Sequence, residues 1–351
     1  MLALGSTLLT EQKQRKMAIP CLFLACVFMF FIALSKGGVN LSLSEIVAII
    51  NQLETDSLKN AIIWQIRLPR IVLAMVVGAG LAACGCAMQA IFRNPLADPG
   101  LIGVSSGAAL GAVATIVLGS SLFANFSSTL GVYAVPVGAF IGCISVCVFI
   151  YRLSAHSGQF TIISLLLAGI AVNAIVGSLI GGLTLISNEQ QLRDLTFWSM
   201  GSLAGNHFAM MLPSLCIIVL SVVLLLRLAK PLNLYLLGEA QAKHLGINVT
   251  RLKKQVFICT ALCTGAAVSI TGIIGFVGFI VPHIVRLVLG PDHRYLMPTS
   301  ILGGALLLSF ADLFARTVML PAELPIGLIT SAIGGPFFLI MLLKTYQQRS
   351  L

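Results

Sequence analysis

Two arginines three residues apart, Arg67 and Arg70, open an apolar stretch, and Arg316 follows another, one helical turn after Asp312. Guanidinium groups placed this way have three uses. They can snorkel to a membrane interface. Asp312 and Arg316 can close a local i, i+4 ion pair. The three arginines can also present a basic docking surface to an acidic partner. A second polar set is Leu237, Gly238, Glu239, Ala242, Lys243, His244, Leu245 and Gly246, in which two glycines bracket a short helical segment. Such a segment can lie on a membrane or seat against a partner. His283 and Arg286 fall in an apolar run, either as an ion-path pair or as structural groups near its end. Catalytic patterns are missing. The chain has no G-x-x-x-x-G-K-[ST], no H-E-x-x-H and no G-x-S-x-G, so no catalytic residue is assigned.

These residues are set in a chain of 351 residues that is 58% apolar and only 9% charged. Soluble domains carry about a quarter charged residues, so the composition points to a polytopic membrane protein. The net charge of +10 is spread between apolar runs, without a basic patch interleaved with aromatics. It reads as membrane topology rather than nucleic-acid binding. The nine cysteines all fall in apolar runs, where a thiol acts as a small hydrophobe. Cys143/Cys147 and Cys259/Cys263 share helix faces, but no His or carboxylate stands at ligand spacing beside them. Neither a metal nor another cofactor is expected.

The elements that must position the polar groups are therefore membrane helices. The hydropathy pattern predicts an all-α protein with about ten spans, near 17–35, 66–91, 100–119, 131–151, 160–185, 209–228, 255–275, 277–290, 299–316 and 325–343. The run from Val256 to Leu289 is too long for one helix and is broken by Gly272, Gly275, Gly278 and Pro282, so the eighth span is short. Residues 36–61 read as an external segment with a Ser-capped amphipathic helix, and residues 187–208 are too polar to span. With both termini in the cytoplasm, most Lys and Arg fall on the cytoplasmic side, as the positive-inside rule requires. Residues 233–250 then form a cytoplasmic loop. The first apolar run follows a basic N-terminus but lacks a small-x-small cleavage site, so it reads as an uncleaved span.

Glycine is the other pattern. Gly103, Gly107 and Gly111 recur at i, i+4 and i+8, and Gly177 and Gly181 repeat the spacing. Small residues on one face let membrane helices approach closely. Two readings stand: packing inside one subunit, or lining of a translocation path.

The motifs in chain order are R-L-P-R at 67–70, G-C-A-M-Q-A-I-F-R-N-P-L-A-D-P-G at 85–100, G-V-S-S-G-A at 103–108, L-G-E-A-Q-A-K-H-L-G at 237–246, G-F-V-G-F-I-V-P-H-I-V-R at 275–286 and A-E-L-P-I-G at 322–327. Together they resemble the permease subunits of type II ABC importers for iron-siderophores, haem and vitamin B12, over nearly the whole chain. The resemblance implies a homodimeric permease in a bacterial inner membrane, working by alternating access with two copies of a separate ATPase and a periplasmic substrate-binding protein. It implies that Arg67, Arg70 and Arg316 meet glutamates of the binding protein, and that the 237–246 segment is the coupling helix for the ATPase. It also implies that Ser154, Ala155, His156 and Ser157 contribute to a cytoplasmic gate. The wording G-V-S-S-G-A-A-L-G and F-W-S-M-G-S-L-A-G is most similar to haem permeases, then siderophore, then vitamin B12 permeases. A reading from another class, an ion-driven secondary transporter, needs charges near the bilayer midplane. The candidates Asp312, His283 and Arg286 lie near span ends instead.

Overall fold

The computed structural model describes residues 2–51, 53, 56–155 and 161–349, and these form helices and connecting segments with no strand. Helix α1 (Leu2–Ser35) is followed by two short helices, α2 (Leu43–Ile50) and α3 (Ser57–Ala61). The expected Ser cap of α2 is present: Ser42 and Glu45 form a reciprocal capping box. A π-helical turn, Ile62–Arg67, joins α3 directly to α4 (Leu68–Phe92). The second apolar rod therefore starts at Ser57, about ten residues before the hydropathy pattern placed it.

Next come α5 (Val104–Leu118), the short α6 (Ala124–Leu130), α7 (Ala134–Ser154), α8 (Ile162–Leu185) and α9 (Glu189–Met200). Helix α10 (Phe208–Arg227) leads into α11 (Ala229–Leu236) and α12 (Glu239–His244), so the segment read as a loop at 233–250 holds helical structure. The chain closes with α13 (Val249–Thr271), α14 (Val277–Leu289), α15 (His293–Ala315) and α16 (Ile326–Arg349). Among the described residues, seven helices are long and apolar enough to cross a membrane, and three shorter apolar stretches, in α5, α14 and α16, accompany them. The expected break of the long run falls at residues 272–276.

Helix α4 is the axis. Apart from Arg70 near its start and Gln89 near its end it is apolar on every side, the pattern of a helix enclosed by others, and it packs against α15, α14, α10 and α13. A second layer, α5 on α7 with α8 beside them, packs on α13. Glycine permits these approaches. A Cβ on Gly85 would run into Gly278 of α14, and one on Gly78 into Gly304 of α15. In α5 a Cβ on Gly107 would sit 2.7 Å from the Gly142 carbonyl of α7. Gly103 departs from the expected three-glycine helix face. Its φ of +81° is left-handed, and it caps the helix from outside instead of continuing the stripe. Gly177 and Gly181 of α8 face open space: a Cβ at either would meet nothing within 4 Å.

Candidate functional site

At one end of the bundle the C-terminus of α1, the N-terminus of α4 and the C-terminus of α15 converge. Arg67, Arg70 and Arg316 meet there, as their positions implied, but they are only 4%, 7% and 5% exposed. The reason is internal demand. Helix α1 ends with carbonyls that have no helical partner, and Arg67 donates to the carbonyls of Leu34, Ser35 and Val39. Arg316 donates to the carbonyl of Ala33. Arg70 is bound by two carboxylates, Asp312 at 2.8 Å and Glu323 at 2.7 Å. Asp312 also lies 3.6 Å from Arg316, the predicted i, i+4 contact. The three arginines are joined in a clamp tying α1, α4, α15 and the segment before α16. Glu323 is the accessible member, with its side chain 44% exposed. Sequence reasoning missed Glu323, although A-E-L-P-I-G contains it.

At the opposite end α4 stops at Arg93, which adopts a left-handed conformation. Its guanidinium donates to the Tyr235 carbonyl at 2.8 Å and lies 4.5 Å from the centre of the Tyr235 ring. Tyr235 is fully buried, and its hydroxyl donates to Glu239 at 2.9 Å. Lys253 of α13 is 2.7 Å from the same carboxylate oxygen. Burial pushes the Glu239 carboxyl up, but the bonds from Lys253 and Tyr235 and the charges of Lys253 and Arg93 outweigh it, and the group is held below its ordinary value. Burial, followed by the bond to Glu239, pushes the Tyr235 phenol up.

Helix α12 is thus pinned at its first residue to α11 and α13, and through Tyr235 of α11 it reaches Arg93 at the end of α4. Gly238, at φ +133°, makes the turn from α11, and Ala242 is fully buried under the helix. Leu237 and Leu245 are 62% and 55% exposed, and Lys243 and His244 are exposed beside them. Gly246, at φ +84°, turns the chain toward α13. Glu239 was legible as part of this set. Arg93, Tyr235 and Lys253 were not, although Tyr235 stands four residues before Glu239.

The C-terminus of α7 and the N-terminus of α8 lie at this same end. Ser154 is buried and donates to Ile150 at 2.7 Å, and the Ser164 hydroxyl lies 3.2 Å from the Ser154 carbonyl. Ala155 caps α7. His156 and Ser157 lie outside the described residues. His283 and Arg286 sit on α14, with His283 stacked on Phe279 at 6.2 Å between ring centres and against Phe337. Among the described residues no group of three or more His, Cys, Asp or Glu side chains is arranged to hold a metal.

A sequence profile of the FecCD transport family matches residues 25–344. The chain belongs to the FecCD transport family. The hemin transport system permease protein of Yersinia pestis is 45% identical to it, over 94% of this chain and 98% of that one. The cobalamin import system permease of Halobacterium salinarum is 42% identical, over 80% and 73%. A probable iron chelatin transport system permease of Helicobacter pylori is 35% identical, over 92% and 97%. In shape the chain matches a metal-chelate type ABC transporter solved in an inward-facing conformation, with a TM-score of 0.78 and 33% identity over 93% and 98%. As a FecCD member the chain is the multi-span permease of an ABC importer, and the ATPase belongs to a separate subunit.

Proposed function

We propose that this permease moves haem, an iron-porphyrin, across a bacterial inner membrane. The observation that carries this reading is the 45% identity to a hemin permease over 94% of this chain. A homodimer would form the path, with two ATPase copies on the cytoplasmic side, where both termini also lie, and a binding protein outside. The open glycine face of α8, Gly177 and Gly181, suits a helix of the second copy or the path between the copies. The ATPase would seat on α12 through Leu237, Lys243, His244 and Leu245. Motion there would pass through Glu239, Tyr235 and Arg93 into α4, the axis of the bundle. The α7–α8 connection, Ser154 to Ser157, would close the cytoplasmic exit.

The binding protein would dock over the clamp of Arg67, Arg70 and Arg316. Their guanidinium groups already hold partners, so a docking glutamate would reach Arg70 by displacing Glu323, the exposed carboxylate of the set. The cobalamin and iron-chelatin relatives support a second reading, in which the cargo is vitamin B12 or a ferric siderophore. An ion-driven secondary transporter has no such support, since family membership assigns the work to an ATPase.

The experiment is uptake by proteoliposomes containing the permease with its cognate ATPase and binding protein. Haem uptake that depends on ATP is the expected result. Uptake of a siderophore or of vitamin B12 without haem would overturn the haem reading and leave the importer intact.

A further inference from the structure

Two irregular stretches of backbone meet inside the bundle. Residues 93–103, with the sequence R-N-P-L-A-D-P-G-L-I-G, join α4 to α5, and residues 272–276 join α13 to α14. The helices that follow the two breaks are short, 15 residues in α5 and 13 in α14, and they fall in opposite halves of the chain. Irregular backbone at membrane depth is tolerated where protein encloses it or where it lines a cavity. Paired breaks in two halves of a transporter are a pointer to a binding site.

Between these breaks lies a cavity of about 30 Å³. Asp98 lines it from the first break, Ile274 and Phe276 from the second, with Ser105 of α5, Thr264 of α13 and Leu81 near the middle of α4. The space suits one water molecule or one small ion. Its polar side chains are a carboxylate and two hydroxyls, all of them oxygen donors to a cation. Asp98 is the sole ionisable residue lining it among the described residues, and the faces that α4, α5, α13 and α14 turn to the cavity carry no charge.

The carboxylate has one hydrogen bond among the described residues, from the Gly100 N–H at 2.7 Å. The Thr264 hydroxyl donates to the Thr260 carbonyl, which leaves its lone pairs to accept. An isolated carboxylate charge in such surroundings is costly unless it is neutralised. The oxygen set is one that a hard cation or a proton satisfies.

We propose that Asp98 binds a single small cation, a proton or an alkali-metal ion, held against the Ser105 and Thr264 hydroxyls between the two chain breaks. Occupancy would be sensed beyond the cavity. Phe276 holds a left-handed φ of +67°, and its ring fills the place where Gly334 of α16 has no side chain. The site thereby connects α4, α5, α13 and α14 to α16.

The test uses the full chain purified in lipid nanodiscs. Infrared spectra and thermal melting are recorded across pH in sodium, potassium and choline salts. A carboxylic acid C=O band that titrates with pH in the wild-type minus Asp98→Asn difference spectrum, equal in all three salts, identifies a proton. A saturable rise in melting temperature with sodium or potassium, absent in choline, identifies an alkali ion. Either signal is expected in the wild-type chain and lost in Asp98→Asn, whose amide oxygen still accepts the Gly100 N–H. Ser105→Ala, which removes a hydroxyl that makes no hydrogen bond among the described residues, is expected to move the midpoint by about tenfold, the worth of one hydrogen bond to a charged group. No pH- or cation-dependent signal in the wild-type chain, or a signal that survives Asp98→Asn, overturns the proposal and leaves Asp98 as a loop cap. Should Asp98→Asn fail to fold, an unmoved midpoint in both Ser105→Ala and Thr264→Val overturns it.

Discussion

Arg70 shows how a residue whose type is plain in sequence gains partners that only the fold supplies. A pair of basic residues at the start of an apolar run invites either an interface or a partner. The structure gives Arg70 to Asp312 and Glu323, more than two hundred residues away in sequence. Removing one member of a buried pair leaves an uncompensated charge, a loss of about 3–5 kcal/mol. Asp312→Ala is therefore expected to lower the melting temperature of the purified chain sharply. Glu323→Gln, at an exposed carboxylate, is expected to have a small effect, on the order of 1 kcal/mol or less. Equal losses in the two variants would contradict the clamp as described.

Glu239 gives a pH dependence at the same scale. Its folded value lies below the ordinary 4.5, so the unfolded chain binds the proton more readily. Its contribution is fully present above pH 4.5 and is lost as pH falls through the depressed folded value. Glu239→Gln should therefore melt below the wild-type chain at neutral pH, and the gap should close on acidification past that point. A gap independent of pH would show that the Lys253 and Tyr235 contacts do not act through charge.

Among the elements, the glycine faces divide into two kinds that spacing alone could not separate. Gly107 and Gly111 sit against Gly142 and Gly138, backbone to backbone. Gly107→Ala places a methyl group 2.7 Å from a carbonyl oxygen that cannot turn away, and overpacking of this kind costs about 1–3 kcal/mol. Gly181→Ala meets nothing in the chain, and alanine gains up to about 1 kcal/mol of helix propensity over glycine. The first variant should melt lower than the wild-type chain and the second should not. Measured beside cross-linking, a fall in dimer yield for Gly181→Ala alone would assign the α8 face to the second copy.

Across the whole molecule, the two ends of the bundle are joined by α4. Leu237→Glu and Leu245→Glu change exposed side chains and should leave the fold intact while abolishing co-purification with the ATPase. Tyr235→Phe keeps the ring under Arg93 but removes the hydroxyl bond to Glu239. It should preserve ATPase binding while weakening the stimulation of ATP hydrolysis by loaded binding protein. Loss of binding in Tyr235→Phe as well would mean that the bond holds α12 in place and transmits nothing.

Fold class and family were both legible in the chain alone. Those properties rest on signals carried within one segment: apolar runs of membrane length, helix caps such as Ser42 with Glu45, and contiguous motifs such as R-N-P-L-A-D-P-G. Which charges are satisfied internally, which glycines are covered, and that the Asp98 and 272–276 breaks face one another emerged only from the folded arrangement. The physical reason is that a charge, a small-residue face or a chain break has no fixed consequence until its neighbours are known. Arg70 looks the same in sequence with or without Asp312 beside it, and Gly107 looks the same as Gly181 until Gly142 stands opposite one of them.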